Sequence, residues 1–309
     1  MPAFDYPRHS PHFLACRRAC RPIAQAHQEI VVGLSGGPDS LALVAALTIE
    51  GSEVEAIIID HGLQENSAAI ARSAARQAEY LQARPRIITV TVEEGSGTDG
   101  TEAEARRARY DALTSAAGKR PVAVAHTRND QAETLLLTAL RGHATGMLPQ
   151  TGKILRPFLE VTREDTVGTC QELGLDYWED PHNDDPAYRR VALRQAVLPL
   201  LDEINGGATA ALAAAAAELA EDNALLAELA GEPTDDCTEL AAQPAPLRRR
   251  RIAAWLRSHH LSVTKAVIGA VDKLVTTPGT AAAVAAGHAH GKRLDVRRIG
   301  GRLSLIRQE

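Results

Sequence analysis

The chain has 309 residues, 45% hydrophobic and only 3% aromatic, enough for two domains whose cores Ala, Leu and Val must fill. A net charge of −5 argues against a uniformly basic nucleic-acid binder, although an average can hide segregation. Four cysteines in this length exclude a disulfide framework, and no apolar run approaches a bilayer span.

Arg17, Arg18 and Arg21 interrupt the N-terminal apolar residues, so no secretory signal is expected and the cytoplasm is the expected compartment. Cys16 and Cys20 are four apart, with His9 and His12 upstream, which would suit a metal site. Burial as two small hydrophobes is the simpler account.

From residue 29 short β-branched runs alternate with helical patterns. "EIVVGL", "VEAIIID", "RIITVTV" and "PVAVAH" read as strands. Between and after them "DSLALVAALTIE", residues 64–82, "TEAEARRARYDALTSAAG" and "NDQAETLLLTALRG" read as helices. This alternation predicts an α/β fold, a parallel sheet with helices on both faces. Ligands of such sheets bind beyond the carboxyl ends of the strands, which makes residues 35–40, 60–63 and 126–133 expected neighbours.

A less regular stretch closes this region near residue 203. Residues 202–243 then hold ten acids and no Lys or Arg, whereas residues 247–309 hold thirteen Lys or Arg against three acids. The expected division is a catalytic domain over 1–205, an acidic helical linker over 206–245, and a smaller, mainly helical basic domain over 246–309. "RRRR" (Arg248 to Arg251) alone would be a solvated helix start. A surplus of ten positive charges points to a polyanionic partner.

"GLSGGPDS" (residues 33–40) joins the first strand to the first helix of the alternation. Gly36 and Gly37 let the backbone turn tightly and approach a ligand, so that N–H groups and the helix dipole face an anion. Ser35 and Ser40 add hydroxyls, and Pro38 suits the first helical turn. There is no Lys for a Walker A loop and no GxGxxG. Asp39 beside phosphates is repulsive unless a divalent cation intervenes, which argues for Mg²⁺.

SGGxDS at this position resembles the PP-loop ATP pyrophosphatase superfamily, which implies cleavage of ATP between the α- and β-phosphates and an adenylated intermediate. "IDHGL", "EAEARRARY", "AHTRNDQAETLLLTALRG", "RPFL" and "YWEDPHNDDPAYRRVALRQAVLPLL" follow in order. Together they resemble the tRNA(Ile)-lysidine synthetases over residues 30 to about 205. The resemblance implies adenylation of the C2 oxygen of the wobble cytidine in the CAU anticodon of tRNA(Ile), then displacement of AMP by free L-lysine. The cofactors implied are ATP and Mg²⁺. ATP contacts fall on Ser35, Gly36, Gly37, Pro38, Asp39, Ser40, Asp60, His61, His126 and Gly142, with the metal on Asp39 and Asp130. Contacts to tRNA or lysine fall on Arg106, Arg109, Tyr110, Asp130, Glu133, Arg141 and Arg194, and catalysis on Asp39, Asp130 and Glu133.

The residues support this transfer. Asp130, Glu133 and Thr134 stand at i, i+3 and i+4, on one helix face. Arg106, Arg109 and Tyr110 have the same spacing and make a cationic stripe ending in an aromatic, suited to phosphates and a stacked base. The lysine proton acceptor stays open among His126, Asp130 and Glu133. His126-Thr127 replaces the family's double His, His182-Asn183 its Ser-Asn, and the turn after Gly142 is shortened.

A PP-loop tRNA thiolase would need CxxC pairs, and none is present. A small-molecule synthetase would not explain the Arg/Tyr stripe or the basic tail. A non-catalytic RNA-binding protein would not need three acids near phosphate. No membrane partner is expected, and a homodimer is left open.

Overall fold

In a computed structural model the β-branched runs pair as a six-stranded sheet. The strands are β1 (Glu29–Gly33), β2 (Glu53–Asp60), β3 (Arg84–Thr89), β4 (Val122–Ala123), β5 (Gln150–Thr151) and β6 (Ile154–Leu155), in the order β3-β2-β1-β4-β6-β5. All pairings are parallel except β5 with β6. The residues described are 4–60, 62, 66–90, 101–179, 188–277, 279, 282–289 and 292–307, with backbone alone at 101–107, 288–289 and 292.

Side chains alternate across the strands, and both faces are covered. Ile30, Val32, Ala56 and Ile58 enter one core with α1 (Pro11–Ala26), α2 (Pro38–Ile49), α3 (Ser67–Tyr80) and α6 (Arg163–Leu173). Val31, Ile57 and Val122 enter the other with Leu113 and Ala117 of α4 (Thr101–Ala117). Helix α2 is buried from Leu41 to Leu47, as its apolar composition demands. Cys16 and Cys20 of α1 and Cys170 of α6 are buried free thiols, and burial pushes Cys16 and Cys170 up to about 12. His12 instead faces Asp165, Nδ1 to Oδ1 at 3.1 Å, and no metal-ligating cluster occurs among the described residues.

The fourth predicted strand keeps only two paired residues, after which the chain turns at Thr127 into α5 (Arg128–Ala139). Buried Gln131 fixes the segment beyond α5, donating to the Met147 carbonyl (2.8 Å) and accepting from its N–H (2.7 Å). Gly146 lies so close to α9 (Ala208–Ala230) that a Cβ there would fall on the Ala216 carbonyl. Before α9 come α7 (Arg189–Ala192), a π-helical turn over Leu193–Val197, and α8 (Leu198–Ile204).

The chain divides into two units, Met1–Ala220 and Glu221–Glu309. The second has α10 (Cys237–Ala241), α11 (Ala245–Ser258) and α12 (Lys265–Thr276). To the predicted helices it adds a three-stranded antiparallel sheet, β7 (Val284–Ala289), β8 (Lys292–Ile299) and β9 (Arg302–Arg307). Its core joins Ile252, Trp255 and Leu256 of α11 to Val271 and Leu274, Val296 and Leu303, and takes in Cys237 and Leu240 from the stretch read as linker. Among the described residues no helix is long and apolar enough to cross a membrane.

Candidate active site

Strand order reverses where β1 is flanked by β2 on one side and β4 on the other, and the crevice beyond such a reversal is where open α/β sheets bind ligands. The loop after β1 and the turn after β4 both open there. Gly36 has φ +85°, a conformation that suits glycine, and its carbonyl accepts the Trp178 N–H at 3.0 Å. The Ser40 hydroxyl donates to the Gly37 carbonyl at 2.9 Å and accepts the Ser35 N–H at 3.2 Å, drawing the loop into a tight turn over the start of α2. Gly37 is the N-cap and Pro38 the first helical residue.

Asp39 projects from the first turn of α2. The Thr166 hydroxyl of α6 donates to its Oδ1, and Arg163 Nη1 stands 3.6 Å from Oδ2. Asp130 occupies the first turn of α5, where its Oδ2 accepts the Thr127 N–H (2.8 Å) and hydroxyl (3.0 Å). This is the returning half of a capping box, and it fixes the Asp130 rotamer. One turn further, Glu133 is wholly buried. Arg194 Nε donates to Glu133 Oε1 at 2.7 Å, and its Nη2 lies 3.8 Å from Asp130 Oδ1. Arg190 reaches the same Asp130 oxygen at 3.8 Å and donates to Thr134 Oγ1 at 3.3 Å. Glu133 Oε2 is buried with no hydrogen-bond partner among the described residues.

Three acids thus meet three guanidinium groups, and their protonation diverges. Burial pushes Asp39 upward, with the Asp130 charge adding to it, against the Thr166 hydrogen bond and the Arg163 and Arg194 charges. Burial likewise raises Glu133, although Arg194 opposes it. Burial would raise Asp130 too, but His126, the Thr127 N–H, Arg190 and Arg194 outweigh it and hold the carboxyl below the ordinary aspartate range. Acids whose environments drive them apart are a mark of functional sites.

Other expected residues are placed as follows. Asp60 ends β2 and accepts the Gly62 N–H at 3.0 Å. The Tyr110 hydroxyl of α4 lies 3.5 Å from His126 Nε2, which brings the aromatic end of the cationic stripe to the turn after β4. Arg109 and Arg141 are exposed, and Gly142 has φ +82°. His61 and the Arg106 side chain lie outside the described residues. Thr166, Arg163 and Arg190 are members of the cluster that the motif reading did not single out. Arg190 had a visible signal, its i, i+4 spacing to Arg194, matching the Asp130, Glu133 and Thr134 face it meets. Thr166 had none.

A PP-loop domain model matches residues 14–201, and the model of a TilS substrate binding domain matches residues 236–304. Two relatives carry the name tRNA(Ile)-lysidine synthase. One, from Corynebacterium glutamicum, is 42% identical over 97% of both chains. The other, from Corynebacterium diphtheriae, is 48% identical over 97% of this chain and 98% of its own. The chain belongs to the tRNA(Ile)-lysidine synthase family. The fold has a solved counterpart in the U34-tRNA thiolase NcsA from Methanococcus maripaludis, at 16% identity and a TM-score of 0.55 over 68% of this chain and 83% of that one. As a PP-loop member of this synthase family, the chain uses ATP.

The family's substrate-binding domain is basic here, yet most of its arginine run is turned inward. Arg248 and Arg249 both bind Asp272, at 2.5 and 2.9 Å. Arg250 donates to Asn223 Oδ1 at 2.5 Å, and Arg251 to the Glu232 carbonyl and to Glu239, each at 2.7 Å. Arg298 caps the end of α12 through the carbonyls of Leu274 and Val275. In contrast, Arg293, Arg297 and Arg302 share the outer sheet face by register and are exposed. Arg293 and Arg302 pair with Asp295 and Asp235 there, and Arg297 has no acid partner among the described residues.

Proposed function

We propose that this chain adenylates the C2 oxygen of the wobble cytidine of the CAU anticodon of tRNA(Ile) and joins free L-lysine to that carbon. The product is lysidine, which changes decoding from AUG to AUA. One observation carries the reading: Arg194 bridges Asp130 and Glu133 on the helix after β4, and Asp39, on the helix after β1, is held by Thr166 and Arg163 beside the anion-binding loop. The loop N–H groups with Ser35 and Ser40 hold the pyrophosphate portion of ATP. Asp39 and Asp130 fit Mg²⁺, which takes one or two carboxylates with phosphate oxygens and waters, and their mutual repulsion is what a divalent cation relieves. The ion, when bound, neutralises charge on the phosphates.

Catalysis of the first step rests on alignment: the cytidine oxygen attacks the α-phosphorus and pyrophosphate leaves. In the second, the lysine ε-amine attacks C2 and AMP leaves, after the ammonium has lost a proton. The three candidate acceptors separate here. Glu133 is sealed from solvent and engaged by Arg194, and Asp130 is a weak base because its carboxyl is held low. His126, partly exposed between Tyr110 and Asp130, is the remaining candidate, and it can accept the proton only in its neutral form.

The second unit grips the tRNA body through phosphate contacts from the outer sheet face around Arg297, and the splayed anticodon base is read at the crevice. The work takes place in the cytoplasm. The test is ATP-dependent transfer of radiolabelled lysine to tRNA(Ile) bearing CAU, with the CAU-bearing methionine tRNA as control. Label on the first alone supports the reading. Pyrophosphate release without lysine transfer would discard it.

A further inference from the structure

Helix α6 holds the loop acid from outside. Its N-terminus is fixed by a full capping box, in which Thr162 Oγ1 accepts the Asp165 N–H (3.0 Å) and Asp165 Oδ2 accepts the Thr162 N–H (3.2 Å). Asn129 of α5 accepts the Arg163 N–H at 3.2 Å, which ties this end to the helix that carries Asp130. Two residues four apart then face the first turn of α2: Thr166 bonds Asp39 Oδ1, and Cys170 Sγ lies 3.5 Å from the Pro38 carbonyl.

Thr166 is fully buried. Its single hydroxyl proton has two acceptors in reach, the ionised Asp39 and the Arg163 carbonyl at 2.9 Å. A bond to a charged acceptor is about twice as strong as a neutral one, so the carboxylate takes it. Arg163 stands too far from Oδ2, at 3.6 Å, to fix the carboxylate by hydrogen bonding. An aspartate carboxylate otherwise rotates broadly about its last torsion. We infer that Thr166 is the positioning residue for Asp39, anchoring Oδ1 so that the carboxylate keeps one orientation beside the phosphate loop. The inference rests on Asp39 acting at the nucleotide.

The test uses the full chain with Thr166→Val, Thr166→Ser, Asp39→Asn and the double variant Thr166→Val/Asp39→Asn. Calorimetric titration with ATP in Mg²⁺ buffer, without tRNA, reads the Kd, and a thermal melt checks folding. Thr166→Val should weaken ATP binding about tenfold, the scale of one charge-assisted hydrogen bond, while Thr166→Ser stays within about twofold of the parent. In the double variant the Thr166 change should add nothing to the loss caused by Asp39→Asn. Binding by Thr166→Val equal to the parent overturns the inference. So does a loss that adds in full to that of Asp39→Asn, because Thr166 would then act through packing alone. Parental binding by Asp39→Asn overturns the role of Asp39 itself, and the inference with it.

Discussion

Two clusters in this molecule set arginines against buried aspartate or glutamate, and they do opposite things. In the second unit Asp272 receives Arg248 on one oxygen and Arg249 on the other. In the first unit three acids share Arg163, Arg190 and Arg194, several contacts stretch to 3.6–3.8 Å, and Glu133 Oε2 has no partner among the described residues. Asp272 is held below the ordinary range, because its two arginines outweigh burial, whereas Asp39 and Glu133 are pushed above it. A saturated cluster stabilises a fold. An undersupplied one stores affinity for a ligand, since an unpaired buried polar group is costly until something binds it.

Replacing Asp39 by Asn should break the first cluster's function without breaking the fold. Lysine-transfer turnover should fall about 10²–10³-fold, the scale of losing one preorganised electrostatic group, with the melting curve unchanged. Replacing Asp272 by Asn should do the reverse. It leaves the half-buried Arg248 guanidinium with only the Gln243 carbonyl and should cost the second unit about 2 kcal/mol, read as faster amide exchange in α11 and α12. The pH dependence has a definite sign. Because folding lowers this carboxyl, its contribution is complete above the ordinary value of 3.8 and is lost as pH falls through the lowered one. The stability gap between parent and Asp272→Asn should therefore close on acidification.

Smaller effects sharpen the contrast. Gly146→Ala forces a methyl onto the Ala216 carbonyl and should destabilise the first unit by about 2 kcal/mol, seen in a chemical denaturation midpoint. Arg297→Ala should lower the salt slope of tRNA binding by about one unit. Arg251→Ala, whose guanidinium is spent on Glu232 and Glu239, should leave that slope as it is.

What could be read from the sequence was local. The loop after the first strand, the Asp130 to Thr134 face and the βαβ alternation are short-range patterns, and the sheet order brings them to one crevice. The C-terminal hairpin has a local signature too. Gly300 and Gly301, both at positive φ, form a two-residue turn between β8 and β9, flanked by alternating Leu294, Val296 and Leu303 against outward arginines. The bond between Thr166 and Asp39 spans 127 positions, and no spacing rule connects them. The inward use of Arg248, Arg250 and Arg251 was hidden for a related reason. A run of four arginines on a helix must point all round it, so some of it enters the core whatever its net charge suggests.

The π-helical turn at Leu193–Val197 acts as an angular index between charge and core. Arg190 before this turn and Arg194 within it face the acids, and Leu198, the first residue beyond it, is buried. Each residue of an α-helix advances about 100° around the axis, so the wider turn rotates everything beyond it relative to everything before. Deleting the exposed Ala196 would keep both arginines and Leu198 in the chain. It would swing either the arginines off their acids or Leu198 out of its packing, so the length of this short segment is as strictly determined as the identity of any residue in the crevice.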